Sequence, residues 1–342
     1  MAAAAEPVLR RNASPRATLV IEWENALDAQ NTWVRLALTR LEAEIERIAL
    51  SEAPPPVLFV YDQEKASEEA IRALIAEVAP RLLASGLVRL VPNPGLTYYE
   101  LKNYGARLAE SPIVLLADSD TGPLPGWYSA IMRALDDPEV VAVGGMTLLG
   151  IDTLMSRVFA LTWFYLLPHE GAKAERKQYV HANNMGVRRD FFLQHPFPAL
   201  AAFKQGQTVW QQDLRHAGFK IPVTAQAQVV HAPPTEFGYW TKRAWQEGGD
   251  RDFSIARRYG ASRLLRMLLA PVATARMAGR NIGRIVALGH RVRLPFWAYP
   301  LAVGVALAYQ LCAFAGQLQS VARHSRRHDG EERQQTPLGA GS

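Results

Sequence analysis

The sequence predicts an α/β domain with a mostly parallel sheet and flanking helices, followed by helices that meet a membrane. Apolar runs typical of strands alternate with helix-spaced segments over residues 17–250, which implies right-handed crossovers between parallel strands. An uncharged stretch, 294–322, follows an arginine-rich one. The 342 residues are 49% hydrophobic, enough for a large core, and the single cysteine, Cys312, excludes an internal disulfide framework.

In the first half of the domain the sequence predicts strands that are each followed by a helix. The predicted strands are 18–22, 57–61, 87–91 and a run that begins at Ile113, and the predicted helices start near Val34, cover 70–78 and cover 99–110. Apolar residues at helical spacing mark the helices, and short apolar runs that stop at turn residues mark the strands. The strand ends therefore lie along one edge of the sheet.

Two acids, Asp118 and Asp120, follow the fourth strand. Because side chains alternate along extended chain, we expect both carboxylates on one face, at the carboxyl edge where open α/β sheets bind ligands. Converging carboxylates repel each other unless a cation joins them, and a hard divalent ion that carries substrate phosphates is the usual solution. The alternative is that Asp118 ends the strand and Asp120 begins a turn. Glu22 and Asp62 end neighbouring strands, so this edge suits a nucleotide.

The second half continues the pattern less regularly. We expect a helix over 125–135, a strand over 140–146 that ends in small residues at Gly144 and Gly145, and a strand over 220–223. Small residues there would let a ligand approach the backbone. The aromatic run 159–167 is interpreted as a helix packed on the sheet, with a sugar-stacking platform as the alternative.

The order and spacing of several motifs resemble the glycosyltransferase family 2 enzymes, which have the GT-A fold. The likeness covers residues 17–250, and its motifs are Asn93-Pro94-Gly95, Lys102-Asn103-Tyr104-Gly105, Leu115-Leu116-Ala117-Asp118-Ser119-Asp120, Gly144-Gly145, Ala182-Asn183-Asn184 with Arg188-Arg189, and Asp213 with Gly218. The resemblance implies a nucleotide-sugar transferase in which Asp118 and Asp120 hold ribose and metal, and Asp213 is the catalytic base. The predicted donor-binding residues are Glu22, Asp62, Asn103, Asp118, Gly145, Asn184, Lys242 and Arg243.

The chain departs from the family pattern in three places. Glu22-Trp23-Glu24-Asn25 stands where the family has Pro-Thr-Tyr-Asn, and Gln212 precedes Asp213 where the family has two acids. The segment 240–245 only loosely matches the Gln-x-x-Arg-Trp motif of processive members. With one apparent membrane segment, the sequence indicates a non-processive enzyme.

Sugar transfer needs charge neutralised on the leaving diphosphate and a proton removed from the attacking hydroxyl. Asp118 and Asp120 are the expected ligands of Mg²⁺ or Mn²⁺, with His231 a further ligand or a residue of another use. Lys242 and Arg243 either clamp the diphosphate or face solvent or lipid. Asp213 is either the base of an inverting in-line displacement or a helix-face carboxylate near Arg215.

The C-terminal part indicates a membrane. Residues 251–293 hold ten arginines against one acid, Asp252, which suits an anionic lipid surface, and no nucleic-acid motif accompanies them. Residues 300–318 would span roughly 28 Å as a helix, close to the bilayer core. Because Gln310 and Gln317 interrupt it, a helix that lies on the bilayer or docks on protein stays an alternative.

These features predict a leader (1–16), a GT-A domain (17–250), a basic surface segment (251–293), a transmembrane helix (294–322) and a polar tail (323–342). The leader lacks the apolar core of a secretory signal, so we expect a single-pass protein with a cytoplasmic catalytic domain. The predicted activity is inverting transfer of a sugar from a nucleotide-diphosphate donor to a lipid-linked, membrane-proximal or polysaccharide acceptor. A nucleotidyltransferase and a degenerate nucleotide-sugar-binding protein are the alternatives. Against the former, no glycine-rich phosphate loop follows the first strand.

Overall fold

A computed structural model describes residues 14–29, 31–163, 165–200, 204–260 and 262–324. The chain divides into two compact units, the first drawn from residues 1–152, 164–199 and 206–233 and the second from 153–163, 200–205 and 234–342. The predicted boundary at residue 250 lies inside a helix, Phe237–Tyr259, and the domain boundaries stay a prediction. Most of the predicted leader and of the polar tail lies outside the described residues.

The first unit is built on a sheet of eight strands among the described residues. They are β1 (Ala17–Glu22), β2 (Val57–Tyr61), β3 (Val88–Pro92), β4 (Ile113–Asp118), β5 (Thr121–Pro123), β6 (Ala142–Leu149), β7 (Asn184–Arg188) and β8 (Val223–His231). Their order is β3-β2-β1-β4-β7-β6-β8-β5. The first four are parallel as predicted. Beyond β4 the sheet is mixed, because β7 runs antiparallel to β4 and β6, and β5 runs antiparallel to β8.

Helices cover both faces of this sheet. In chain order the helices up to residue 216 are α1 (Glu24–Asp28), α2 (Asn31–Ala49), α3 (Glu68–Val78), α4 (Pro80–Ala84), α5 (Tyr98–Leu108), α6 (Trp127–Ala134), α7 (Leu154–Thr162), α8 (Gly171–Lys177), α9 (Arg189–Gln194) and α10 (Gly206–His216). Of these, α7 belongs to the second unit.

Alternating side chains of the central strands supply two separate cores. In β1, Leu19 and Ile21 join the cluster that includes α2 and α3, whereas Val20 joins the cluster that includes α5 and α10. Every residue of β1 and β4 is buried, as expected for strands covered on both faces. Because even-numbered residues of β1 face α5, Glu22 at the end of this strand faces α5 too.

The strand register brings the predicted acids to one edge. Glu22 is the residue of β1 that pairs with Asp118 of β4. Asp62 follows the last residue of β2, the strand that pairs with β1 on its other side. The carboxyl edge of three neighbouring strands therefore holds Glu22, Asp62 and Asp118, as the alternation of strands and helices predicts.

Three predicted elements differ from the structure. The strand predicted over 140–146 with its end at Gly144 and Gly145 begins at Ala142 and continues through both glycines to Leu149. The aromatic run 159–167 is not one helix on the sheet, since α7 ends at Thr162 and Phe159 packs against Trp240 and Tyr309 of the second unit. The strand predicted over 220–223 begins instead at Val223 and continues to His231. Lys220 forms an isolated bridge with Val140.

The second unit is helical in its described residues. Besides α7 it holds α11 (Phe237–Tyr259), α12 (Arg263–Leu288) and α13 (Tyr299–His324). One described helical stretch, Phe296–Arg323, is long and apolar enough to cross a membrane, with a mean hydropathy of 1.6, and 39% of its apolar window is buried. Length and composition alone do not separate a membrane span from the core helix of a soluble protein.

Candidate metal centre

The segment that carries the two predicted metal ligands is a tight turn. The strand β4 ends at Asp118, and the Oγ1 of Thr121 donates to the Asp118 carbonyl (2.8 Å) and accepts from the Asp118 N–H (3.0 Å). The Ser119 N–H donates to the Glu22 carbonyl at 3.1 Å. The backbone at residues 119 and 120 is therefore a turn, which is the alternative that the sequence left open, and not the extended chain from which we expected both carboxylates to lie on one face.

A second pairing brings His231 to this turn. In the antiparallel pair of β5 and β8, Thr121 lies opposite His231, and the Ala232 N–H donates to the Asp120 carbonyl at 3.2 Å. The Nε2 of His231 lies 3.5 Å from Oδ2 of Asp120. Its Nδ1 lies 2.6 Å from the Ala232 carbonyl oxygen. Because a carbonyl oxygen only accepts, Nδ1 carries a proton, and Nε2 is the ring nitrogen that faces Asp120, as is usual when the other nitrogen of a metal-binding histidine bonds to a backbone carbonyl.

Asp118, Asp120 and His231 together form a group that can bind a divalent metal ion. One ligand atom from each lies within 4.8 Å of the others, and all three residues are buried. Asp120 is 1% exposed. Carboxylates suit Mg²⁺ and Mn²⁺, and the imidazole beside them adds a nitrogen ligand of the kind that divalent transition metals accept. The donor set therefore fits the predicted cofactor, including His231 as the third ligand.

The carboxylate of Asp118 is held by three side chains. The Nζ of Lys102 donates to its Oδ1 at 2.6 Å and to the Ala117 carbonyl at 2.6 Å. The Tyr98 hydroxyl donates to the same carboxylate (2.8 Å to Oδ1), and the Asn25 amide donates to Oδ2 at 2.7 Å. Lys102 is 0% exposed. Such charge-assisted bonds fix the orientation of the carboxylate that would bind the metal.

Glu22 joins the same network through Asn25. The Asn25 amide donates to Glu22 Oε1 at 2.8 Å, and the Glu24 N–H donates to Oε2 at 2.8 Å. With the carboxylates of Glu22, Asp118 and Asp120 ionised, the ammonium of Lys102 leaves a net charge of minus two in these buried groups. A divalent cation neutralises that charge.

Lys102 and Tyr98 were missing from the sequence-predicted site. They stand four residues apart on α5, so they share one face of the helix. Gly105 lets this face approach the sheet, because a Cβ at residue 105 would lie 2.3 Å from Cγ1 of Val20. The sequence signal that could have placed them in the site is a tyrosine and a lysine four residues apart, followed by Gly105, on a helix next to the Asp118 strand.

Aromatic rings lie beside the metal group. The ring of Tyr165 is 5.4 Å from the ring of His231 and 4.9 Å from that of His181. The Asn183 amide donates to the Tyr165 hydroxyl at 2.9 Å. Burial, with a further contribution from the nearby His231, lowers the pKa of His181 from 6.5 to about 3. His181 is therefore neutral near pH 7.

Asp62 lies at the end of β2 and is held by its own turn. The Glu64 N–H donates to Oδ1 at 3.0 Å, and the Lys65 ammonium lies 3.1 Å from Oδ2. Burial alone would raise the pKa of Asp62, but these hydrogen bonds outweigh it and lower the pKa below its ordinary value. The carboxylate stays ionised, and its predicted contact with the nucleotide stays a prediction.

Three predicted donor-binding residues make protein contacts in the structure. Asn103 exchanges two hydrogen bonds with the backbone of Phe197, at 2.9 and 3.1 Å. Asn184, fully buried, accepts from the Trp127 indole at 2.8 Å and donates to the Ala227 carbonyl at 3.1 Å. A Cβ at Gly145 would lie 2.2 Å from that same carbonyl, so sheet packing by itself requires this glycine. Their donor contacts stay predictions.

Asp213 lies exposed on α10. The buried side of this helix holds the chain on either side of His181, because Gln207 Oε1 accepts from the Ala182 N–H (2.6 Å) and Gln211 Oε1 from the Val180 N–H (3.0 Å). Its role as catalytic base stays a prediction. Lys242, exposed, and Arg243, whose guanidinium lies 5.7 Å from the ring of Trp163, belong to α11 of the second unit. Their predicted diphosphate contact also stays a prediction.

Comparison with solved structures identifies the fold as GT-A. The mannosyltransferase PcManGT from Pyrobaculum calidifontis, in complex with GDP-Man and Mn²⁺, matches with a TM-score of 0.51 and 17% identity, over 90% of this chain and 88% of that one. GalNAc-T7 with UDP, GalNAc and Mn²⁺ matches with a TM-score of 0.45 and 13% identity, over 67% of this chain and 47% of that one. No family model and no curated protein matches the chain.

Proposed function

We propose that this protein is a metal-dependent glycosyltransferase that moves a sugar from a nucleotide-diphosphate donor to an acceptor hydroxyl. The observation that carries the proposal is the buried group of Asp118, Asp120 and His231 at the carboxyl edge of a GT-A sheet. The likeness to family 2 in the motifs around these residues supports the same assignment.

Asp118, Asp120 and His231 would hold the metal, which would supply positive charge to the leaving diphosphate. Asn25 and Lys102 keep the Asp118 carboxylate in place. The acceptor oxygen attacks the anomeric carbon from the face opposite the diphosphate, and the bond between that carbon and the diphosphate oxygen breaks. Asp213, accessible to solvent, takes the proton of the acceptor hydroxyl. One displacement inverts the anomeric centre.

For the donor, GDP-mannose is the first compound to test, because the structure with the TM-score of 0.51 was determined with it. Glu22 and Asp62 are proposed to contact the nucleoside, and Lys242 and Arg243 the diphosphate. For the acceptor we propose a lipid-linked or membrane-proximal hydroxyl with the catalytic unit in the cytoplasm. The basic, apolar C-terminal helices support a site near lipid.

Calorimetry with GDP-mannose and UDP-sugars, with and without Mn²⁺, tests the donor and the metal together. We expect donor binding to the wild type only with Mn²⁺, and none to Asp120→Asn, because the amide withdraws one anionic ligand. Asp190→Asn is the matched control, since the Asp190 side chain is 90% exposed on α9. Equal Mn²⁺-dependent affinity in the Asp120 variant would contradict the metal assignment.

The products separate this proposal from its alternatives. Transfer releases nucleoside diphosphate together with a glycosylated acceptor. Release of inorganic pyrophosphate from a nucleoside triphosphate would identify a nucleotidyltransferase. Donor binding without any turnover across lipid and polysaccharide acceptors would identify a binding protein.

Asp213→Asn tests the base. The amide keeps the shape of the side chain and cannot take the proton, so we expect unchanged donor affinity and a turnover about 10²–10⁴-fold lower. Turnover near the wild-type value would assign proton removal to another residue, while the donor and metal assignments would stand.

A further inference from the structure

Polar contacts hold α13 against α11 within the second unit. The Tyr309 hydroxyl donates to Glu247 Oε2 at 2.8 Å, and Arg251 donates to Gln310 Oε1 at 2.7 Å. Tyr309 and Gln310 are 4% and 2% exposed. Both lie near the middle of α13 and of the span 300–318 that the sequence predicts to cross a bilayer.

Glycines let the two helices touch through their backbones. A Cβ at Gly248 of α11 would lie 2.0 Å from the Ala313 carbonyl oxygen, and one at Gly316 of α13 would lie 2.2 Å from the Trp245 carbonyl oxygen. Further along, Ser320 donates to the buried carboxylate of Asp252 at 2.7 Å. The face of α13 that meets α11 is therefore closely packed and polar.

This packing conflicts with a helix that crosses the bilayer. If α13 crossed with its middle at the centre of the hydrocarbon layer, the Glu247 and Arg251 side chains bonded to Tyr309 and Gln310 would lie at that depth too. Charged groups at the bilayer centre are strongly unfavourable. If α13 instead lies shallow enough for the Glu247 and Arg251 side chains to stay near the lipid headgroups, no charged group has to enter the hydrocarbon layer.

An exposed apolar stripe runs along α12. Leu264, Leu268, Val272 and Val286 follow helical spacing on one side of this helix and are 67%, 60%, 62% and 65% exposed. The opposite side is buried, with Arg266 bonded to Asp252 at 2.8 Å. A helix with one exposed apolar face is typical of segments that lie in a membrane interface.

Positively charged side chains beside the stripe complement an anionic membrane surface. The sequence from Arg263 to His324 contains no acidic residue. Exposed arginines flank the stripe and continue beyond α12 at Arg263, Arg276, Arg280, Arg291 and Arg293. Arginine side chains on the flanks of an apolar face can contact lipid phosphates while the apolar face enters the acyl region.

The turn before α13 and the first half of α13 add a second apolar surface. Phe296 and Trp297 are 90% and 70% exposed, and Leu301, Leu307 and Leu311 of α13 are 46%, 41% and 65% exposed. Aromatic side chains of this kind prefer the headgroup level of a bilayer. The large exposed apolar residues of α13 lie in its first half.

We propose that the second unit binds one leaflet of an anionic membrane without crossing it, and inserts the α12 stripe and the exposed face of the first half of α13. This proposal takes the alternative to the single-pass helix that the sequence left open, a helix that lies on the bilayer or docks on protein. This proposal does not depend on sugar transfer, because lipid binding is measured without a donor.

Vesicle sedimentation of the full chain tests the surface. We expect binding to phosphatidylcholine vesicles that contain phosphatidylglycerol, with weaker binding to phosphatidylcholine alone and at high salt. Leu268→Glu and Val272→Glu should each lower the binding constant about tenfold or more, because each adds a charge to the inserted face. Leu50→Glu is the matched control, since Leu50 is an 85% exposed leucine of the first unit.

Unchanged binding of both stripe variants, with circular dichroism and melting temperature as in the wild type, would overturn the proposal. A second result would also overturn it. If gel filtration showed a dimer that either variant dissociates, and both variants still bound vesicles, the stripe would be an interface between two copies of the chain.

Thiol labelling in sealed membrane vesicles tests the topology. In a Cys312→Ala background, Glu69→Cys places a thiol at an exposed position of α3, and Ser342→Cys places one after α13. A membrane-impermeant maleimide should label both variants equally, before and after detergent, because both thiols lie on the same side. Labelling of the two thiols from opposite sides of the membrane would establish a crossing helix and overturn the proposal.

Discussion

Replacing Lys102 by methionine removes an ammonium that is completely buried beside Asp118. Methionine keeps the length and most of the volume of the side chain, so the cavity term is small and the lost charge dominates. Removal of one partner from a buried ion pair costs about 3–5 kcal/mol. Since Tyr98 and Asn25 still donate to the Asp118 carboxylate, we expect a loss near the lower end, about 3 kcal/mol.

Lys220→Met is the matched control for this change. Lys220 also lies 2.6 Å from a carboxylate, that of Asp137, but these side chains are 51% and 42% exposed. An exposed ion pair contributes about 0–1 kcal/mol. Urea unfolding in EDTA measures both losses, and the difference of about 2 kcal/mol or more comes from burial.

Mn²⁺ gives this experiment a second readout. Without Lys102 the Asp118 carboxylate loses the positive charge beside it, so we expect saturating Mn²⁺ to stabilise the Lys102 variant more than the wild type. A loss no larger than that of Lys220→Met would refute the reasoning. An equal stabilisation by Mn²⁺ in the variant and the wild type would show that Lys102 does not act on the metal group.

The structure also predicts how pH and two glycine substitutions change the stability of the fold. Folding lowers the pKa of His181 from 6.5 to about 3. Between pH 6.5 and 3 the unfolded chain therefore binds more protons at this residue than the folded chain, so the folded state loses stability as the pH falls below about 6.5. From about pH 7.5 to 5.5 the wild type should lose about 1 kcal/mol more than His181→Asn in urea unfolding, and equal losses would contradict this. Gly145→Ala, whose Cβ would meet the Ala227 carbonyl at 2.2 Å, should cost about 1–3 kcal/mol by thermal unfolding. Gly249→Ala, with open space around its Cβ, should not destabilise the protein.

Much of the first unit follows from local sequence patterns. The apolar runs of β1, β2 and β4 and the acids that end them are predicted because strands buried on both faces have a strong signature. Parallel pairing then places Glu22 beside Asp118. The pairing of β5 with β8 is not visible in sequence, because Thr121–Pro123 is only three residues long and carries no periodicity.

The burial of individual polar residues is harder to predict. A lysine in an amphipathic helix is usually solvated, and Lys102 is buried because Gly105 lets α5 approach β1. Similarly, the amides of Asn103 and Asn184 satisfy protein backbone that sequence patterns do not locate. The uncharged stretch 294–322 has the composition of a span, whereas the helix that packs against it, α11, is distant in sequence.

The antiparallel pairing of Thr121 with His231 has a consequence for folding kinetics. It joins residues more than a hundred positions apart, and contacts of such separation form late because the chain entropy of closing the loop opposes them. The metal ligands are therefore complete only after β8 has docked. Mn²⁺ that binds the native arrangement should then slow unfolding and leave the folding rate almost unchanged, so that a bound metal would prolong the lifetime of the folded protein.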